Sequence, residues 1–321
     1  CNNMIKRILL LLIILLAPFS SFSQKTYVPD DIFEAWLESN GYGDGIAFND
    51  SVVTSAVSTI DNLNIQNKGI ADLTGLSDFT LLRHLECYGN NLTVLDLSDN
   101  YYLRYIRAYS NDSLSQIYLP DSSYNPYGSY INNIWYPGIG DLHLYYCNIS
   151  SIDLDKPYSI DGVYLYWNPL TSIDLSSIPF LRTLDVHQTD IISLDLSNNP
   201  KLQTLNAYQC DSLTELDFRN GNIVNLTNHS LHNNPLLTCI QVDNPSYSQN
   251  SFQWHWQENI FNSAVYNYSV NCGSPSVIHE EKFNKEILKI INLLGKETLQ
   301  VNQPLIYIYD DGTVEKKIIL E

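Results

Sequence analysis

Positive charge is scarce in this chain: 17 lysines and arginines stand against 35 aspartates and glutamates, for a net charge of −18. That balance repels phosphate backbones, which excludes nucleic acid as an expected partner, and it favours solubility. Catalytic signatures are missing as well. There is no GxSxG, no HExxH, no glycine-rich phosphate loop and no lone cysteine with an evident histidine partner. The chain therefore reads as a non-enzymatic protein without a cofactor. His187, beside Asp185 and near His143, is the one conceivable proton-transfer group, and on an open surface water would screen its charges. No CxxC or clustered His/Cys spacing supports zinc, and the glycine-rich nonapeptide pattern of calcium-binding coils is absent. No metal is expected.

Long apolar runs are missing too. The greasy stretch Ile8–Leu16 is too short to span a bilayer comfortably. With Lys6 and Arg7 before it and the small residues Ser20 to Ser23 after it, residues 4–24 have the three parts of a secretory signal. The mature chain is expected to begin near Gln24 or Lys25. Its net charge would be −20, which is −18 less the two positive charges of Lys6 and Arg7. No cysteine follows the greasy stretch, which argues against a lipid anchor.

Five cysteines remain after such a cleavage: Cys87, Cys147, Cys210, Cys239 and Cys272. Export permits disulfides. Cys147 and Cys210, however, occupy one column of a repeat three turns apart, roughly 14 Å at about 4.8 Å per turn, beyond disulfide reach. Cys87 falls at an inward position, where a thiol acts as a small hydrophobe. Cys239 and Cys272 lie past the last regular turn and are the candidate pair.

The repeat is the strongest signal present. Ile139, Ile160, Leu181, Leu202 and Ile223 stand 21 positions apart, each opening a phrase with aliphatic residues at its first, fourth and sixth positions. The phrase recurs upstream at Ile60, Leu82 and Leu103, so eight turns are expected, starting at 60, 82, 103, 139, 160, 181, 202 and 223. A fixed period of this length marks a coil in which each turn buries its apolar side on the next. After the first phrase comes a column of Asn, Cys or Thr (Asn90, Asn111, Cys147, Asn168, Thr189, Cys210), whose amides can bond backbone groups at the bend. A second phrase follows, such as LTSIDLS at 170–176. Alternation with period two means strand, so the prediction is two narrow parallel sheets back to back, with little helix.

The pattern LxxLxLxxNxL, as in LRTLDVHQTDI and LRHLECYGNNL, resembles the leucine-rich repeat family, and the doubled LxxLDLSxN half resembles its short bacterial variant with nested periodicity. The resemblance implies a leucine-rich repeat solenoid over 59–243, interrupted by an insertion at 120–138 rich in Tyr, Asn and Pro. Residues 25–58 do not repeat. Pro29, Asp30 and Asp31 open a short helix there, with Phe33, Trp36 and Leu37 on one side, as an N-terminal cap would have. Residues 244–275 complete a stretch that resembles the closing cap of secreted bacterial members. The tail 276–321 carries alternating runs at Ile287–Asn292, Leu305–Tyr309 and Val314–Leu320, a small β module. With LLGKE and a final EKKIILE it resembles the second half of a type IX secretion sorting domain, although the YPNP motif that usually opens such signals is missing.

Aliphatic columns pointing inward leave the residues between them facing solvent. The column after the sixth position holds Tyr88, Tyr109, Tyr145, Tyr166, His187, Tyr208 and His229, a stripe of rings, with Trp167 and Tyr146 at its shoulder. The second phrases point Asp96, Asp153, Asp174, Asp195 and Asp217 outward instead. These Asp residues fit either bound calcium or, more simply, bonds to local backbone. Two readings of the ring stripe stay open. Stacked aromatics stabilise neighbouring strands, and rigid tyrosines also make a low-entropy contact surface. The expected ligand-binding residues are Tyr88, Tyr109, Tyr145, Tyr166, Trp167, His187 and Tyr208. The expected partners are an extracellular protein, peptide or polysaccharide, and the secretion machinery through the tail. The rival expectation is a structural or adhesive surface component with no soluble ligand. Either way the chain is expected outside the cell or on its outer surface.

Overall fold

A computed structural model describes residues 24–121, 129–131, 134–136, 138–155, 160–246 and 267–272, together with three strands near the C-terminus. The predicted signal segment, apart from Gln24, lies outside the described residues. So does much of the predicted closing cap. The chain divides into two units, 1–270 and 271–321.

The first unit is a β coil. Eight short parallel strands form one sheet, in the order Asn62–Asn64, His84–Glu86, Tyr105–Arg107, Ile139–His143, Ile160–Tyr164, Thr183–Asp185, Thr204–Asn206 and Asn228–Ser230. These strands define turns one to eight. Registers align the columns: Leu85 lies opposite Ile106, Leu142 opposite Val163, and Leu184 opposite Leu205. The first, fourth and sixth positions of turns one to seven are buried, from Ile60, Leu63 and Ile65 to Leu202, Leu205 and Ala207. Each buried aliphatic side chain contributes about 2 kcal/mol, and no turn can bury its own face alone.

The last turn departs from the 21-residue count. Leu205 pairs with His229 and Asn206 with Ser230, a step of 24 residues. Ile223 does not open the phrase. It stands where Asn199 stands one turn earlier, three residues before the first column: Leu226 N–H donates to Ile223 O as Leu202 N–H donates to Asn199 O. The three extra residues are absorbed around Gly221, whose φ of 71° lets the chain swing out before a short 3₁₀ turn at Ile223–Asn225. His229 therefore sits in the inward column, not the ring column.

The second phrases form a sheet in two pieces. Val94–Asp96 pairs with Gln116–Tyr118, and Ser193–Asp195, Glu215–Phe218, Cys239–Val242 and Asn267–Ser269 form a four-stranded parallel sheet. In turns four and five Leu154 and Leu175 stay buried, but residues 150–154 and 170–175 form no strand. The expected second sheet is thus discontinuous behind the middle of the first. Turn four follows the insertion, in which Ser129–Ile131 and Ile134–Tyr136 make an antiparallel hairpin.

Bends are closed by side-chain amides. Asn90 Oδ1 accepts from the N–H groups of Lys68, Gly69 and Ile70, and its Nδ2 donates to Ile65 O and Cys87 O. Asn111 and Asn168 bridge successive turns in the same way. Thr189 replaces them with one bond to a backbone carbonyl, and the thiols of Cys147 and Cys210 with weaker contacts to two carbonyls each. Burial pushes the Cys147 thiol up to about 11 and raises Cys87 and Cys210 too, so these three free thiols are inert interior groups. Cys239 and Cys272 are disulfide-bonded.

The N-terminal cap is a helix, Asp31–Ser39, whose N-cap Asp30 accepts from Ile32 and Phe33 N–H. The other oxygen of Asp30 accepts from Ala71 and Asp72 N–H, tying the cap to the first turn. Phe33 and Leu37 are fully buried over the end of the core. The second unit contains the strands Ile287–Asn292, Pro304–Tyr309 and Val314–Ile318 in one antiparallel sheet.

Candidate binding face

In each turn the residue after the sixth position leaves the sheet pointing outward, and the parallel registers place these residues directly above one another. Tyr88, Tyr109, Tyr145, Tyr166, His187 and Tyr208 stack in file, with centroids 4.4, 4.4, 4.3, 4.4 and 4.3 Å apart. Interplanar angles between consecutive rings reach no more than 14°. The seventh ring is His232, 4.7 Å from Tyr208, in place of the expected His229. A signal for His232 was in the sequence: the ring stands two residues before the Asn column in Tyr88/Asn90 and Tyr109/Asn111, and likewise in His232/Asn234.

Stacking changes what the stripe offers. Ring faces inside the ladder are covered by their neighbours, leaving edges and hydroxyl groups toward solvent. Burial, then neighbouring phenols, pushes Tyr145 up to about 12 and raises Tyr109. Burial also raises Tyr166 and Tyr208. These four phenols are therefore neutral hydroxyls at physiological pH. His187 is not open to water as expected. It is 9% exposed, sandwiched between Tyr166 and Tyr208, with Nδ1 2.5 Å from Asp185 Oδ1. Asn206 Nδ2 holds the second oxygen of Asp185. The pair is packed into the ladder and not set on an open surface.

A second, shorter tier of rings lies alongside. His84 stacks on Tyr105, and His143 on Tyr164 at 4.3 Å and 3°. Arg107 and Glu86 form an ion pair between turns two and three.

Trp167 stands apart from the ladder, on the rim one residue past Tyr166, with Tyr146 5.6 Å from it at 20°. Both are 46% exposed. Tyr146 also meets the edges of Tyr145 and Tyr166, so the rim pair is braced against the ladder.

The opposite side of the coil has a different chemistry. Asp96, Asp153, Asp174, Asp195 and Asp217 each accept the backbone N–H two residues ahead, the local closure that suits short carboxylates. Among the described residues, Asp31, Glu34 and Asp50 form the one carboxylate group close enough to share an ion. The buried Glu34 already accepts from Asn49 and Asp50 N–H, so the group closes a loop.

The nested strands, the bend amides and the register of the inward columns settle the architecture. The fold is a leucine-rich repeat solenoid. No family model matches the chain. Internalin J of Listeria monocytogenes serotype 4b (strain F2365) is 32% identical to it over 74 residues, which is 21% of this chain and 8% of that protein. Among solved structures, the functional domain of InlJ from L. monocytogenes, which includes a cysteine ladder, is 20% identical with a TM-score of 0.32; the match covers 70% of this chain and 58% of that one. The internalin InlF from the same species is 16% identical with a TM-score of 0.42, covering 70% and 67%. The LRIM1/APL1C complex gives 17% identity and a TM-score of 0.40, covering 65% and 45%. No helix among the described residues is long and apolar enough to cross a membrane.

Proposed function

We propose that this is a non-enzymatic recognition protein of the bacterial leucine-rich repeat type, which binds an extracellular protein through the ringed face of its solenoid. The observation that carries the reading is the contrast between two sides of one coil. One side lines up seven rings, an outward row of hydroxyls and two exposed rim aromatics. The other carries carboxylates that bond their own backbone. Turns on both sides need the same inward aliphatics, so the rings on one side are additional to what the coil requires. Rigid aromatics with polar tips are the side chains that anchor interfaces. The partial match to an internalin fits a surface-interaction role.

Export completes the proposal. Residues 4–24 act as a signal peptide, and the β module of 276–321 acts as the type IX sorting domain. The mature protein then works outside the cell or on its outer surface.

A face-by-face comparison tests the reading. The whole chain is immobilised and probed with an extracellular protein fraction, and each captured protein is measured against two variant sets. Tyr145→Phe, Tyr166→Phe and Tyr208→Phe together keep every ring stacked while removing the hydroxyls. Asp96→Asn, Asp174→Asn and Asp195→Asn alter the reverse side. Binding is expected to fall with the first set alone. Equal effects from both sets, or capture of nothing together with self-association in light scattering, would replace recognition by an adhesive scaffold role.

A further inference from the structure

Each turn makes its bend with one residue in the left-handed region, immediately after the ring column. The positions are Asn67, Gly89, Ser110, Tyr146, Trp167, Gln188, Gln209 and Asn233, with φ between 52° and 67°. The coil requires this conformation, because the strand ends there and the chain turns into the Asn column. Six turns meet the requirement with Gly or polar side chains, and Asn and Gly tolerate it best. Turns four and five place Tyr and Trp there, side chains for which positive φ is costly. Strain of this kind, spent on an exposed position, points to function.

These two rings also have what the ladder lacks. Every interior ladder ring has both faces covered at 4.3–4.7 Å. Among the described residues, Tyr146 and Trp167 stack face to face only on each other. Their neighbours within the column are Ser110 and Gln188, which bring no ring against the outer faces. An open indole face and an open phenol face therefore look out from the middle of the binding side.

The charge of the same side of the coil selects the guest, and Asp112 lies close enough to Cys147, the residue after Tyr146, to act on it. Asp141, Asp161 and Asp185 lie close enough to the Tyr164 phenol for all three to act on it, so turns four to six gather carboxylates on this face. Arg182 answers Asp161 at 3.3 Å, leaving the group net negative within a chain of charge −18. A group that stacks on aromatic faces and carries positive charge satisfies both conditions, and the planar guanidinium does so better than the strongly hydrated ammonium of lysine.

We propose that the open faces of Tyr146 and Trp167 receive arginine side chains from a basic segment of the protein partner. This rests on the recognition reading above and names the chemistry of its partner. The probe is a short acetylated Gly-Ser peptide carrying arginines, titrated calorimetrically into the whole chain. It is compared with the same peptide carrying citrulline, the neutral isostere, and with cellohexaose. The arginine peptide is expected to bind, to weaken with added salt, and to lose about tenfold or more in affinity when citrulline replaces arginine. Tyr146→Asn and Trp167→Asn install the residue this chain itself uses at Asn67 and Asn233. They are expected to weaken binding about tenfold while melting at the same temperature or higher, because backbone strain is relieved. Equal affinity for the citrulline peptide, saturation by cellohexaose in place of the peptide, or unchanged binding by both variants would overturn the proposal. A lower melting temperature in both variants would show the rings to be structural and would overturn it as well. If a captured protein still depends on the ringed face while the arginine peptide fails, the guanidinium assignment falls and the recognition reading stands.

Discussion

At the scale of single residues, the ladder makes an electrostatic prediction. Tyr145 ionises at about 12 in the folded chain against an ordinary value of 10.0, because burial and the adjacent phenols disfavour its charged form. A group with a raised folded value contributes stability that is complete below its unfolded value and is lost as pH climbs through the folded one. Stability should hold up to about pH 10 and decline toward about 12. In an absorbance titration of tyrosinate, the ladder phenols should ionise late, together with loss of near-ultraviolet ring signal; early ionisation of all tyrosines would contradict the stacking. Asn90 gives a second test. It makes five hydrogen bonds to backbone groups at a bend. Asn90→Ala strands several of those groups and should cost about 3 kcal/mol in urea unfolding. Most of the ring column was legible as sequence, because a strict period with inward aliphatics fixes which side chains point out. His232 escaped a count by 21 because three residues enter the last turn. The burial of His187 escaped it too, since cover by rings from adjacent turns depends on packing between columns, which periodicity along one turn does not report.

At the scale of elements, strands were legible and their pairing was less so. Alternating apolar residues mark both phrases, yet the first phrases pair continuously over eight turns and the second phrases pair in two pieces. Pairing needs the neighbouring segment at the right height, and residues 120–138 enter the coil between turns three and four, where the reverse side loses its ladder. The side chains still hold: Ile149, Leu154, Leu170 and Leu175 are buried. Backbone amides at 150–154 and 170–175 should therefore exchange hydrogen faster than those at 193–195 and 215–217, although the two regions share the same sequence pattern. Equal protection would mean that the reverse sheet is continuous in solution.

At the scale of the whole molecule, the chain combines a capped coil with a separate C-terminal unit. The helix Asp31–Ser39 covers the first turn and binds it through Asp30, so the solenoid has no bare apolar end there. The C-terminal strands form an antiparallel sheet of their own. If 276–321 is a sorting domain, deleting 284–321 should leave the protein in the periplasm, measured by fractionation; normal release would assign the tail another task.

A coil with an unbroken seam on one side and an interrupted seam on the other has unequal stiffness across its thickness. Bending that opens the reverse of turns four and five parts few hydrogen bonds, whereas bending that opens the front must part a ladder. Curvature can therefore change at low elastic cost at one place along the rod. That place lies directly behind Tyr146 and Trp167, where the grip on a partner of uneven shape would have to adjust.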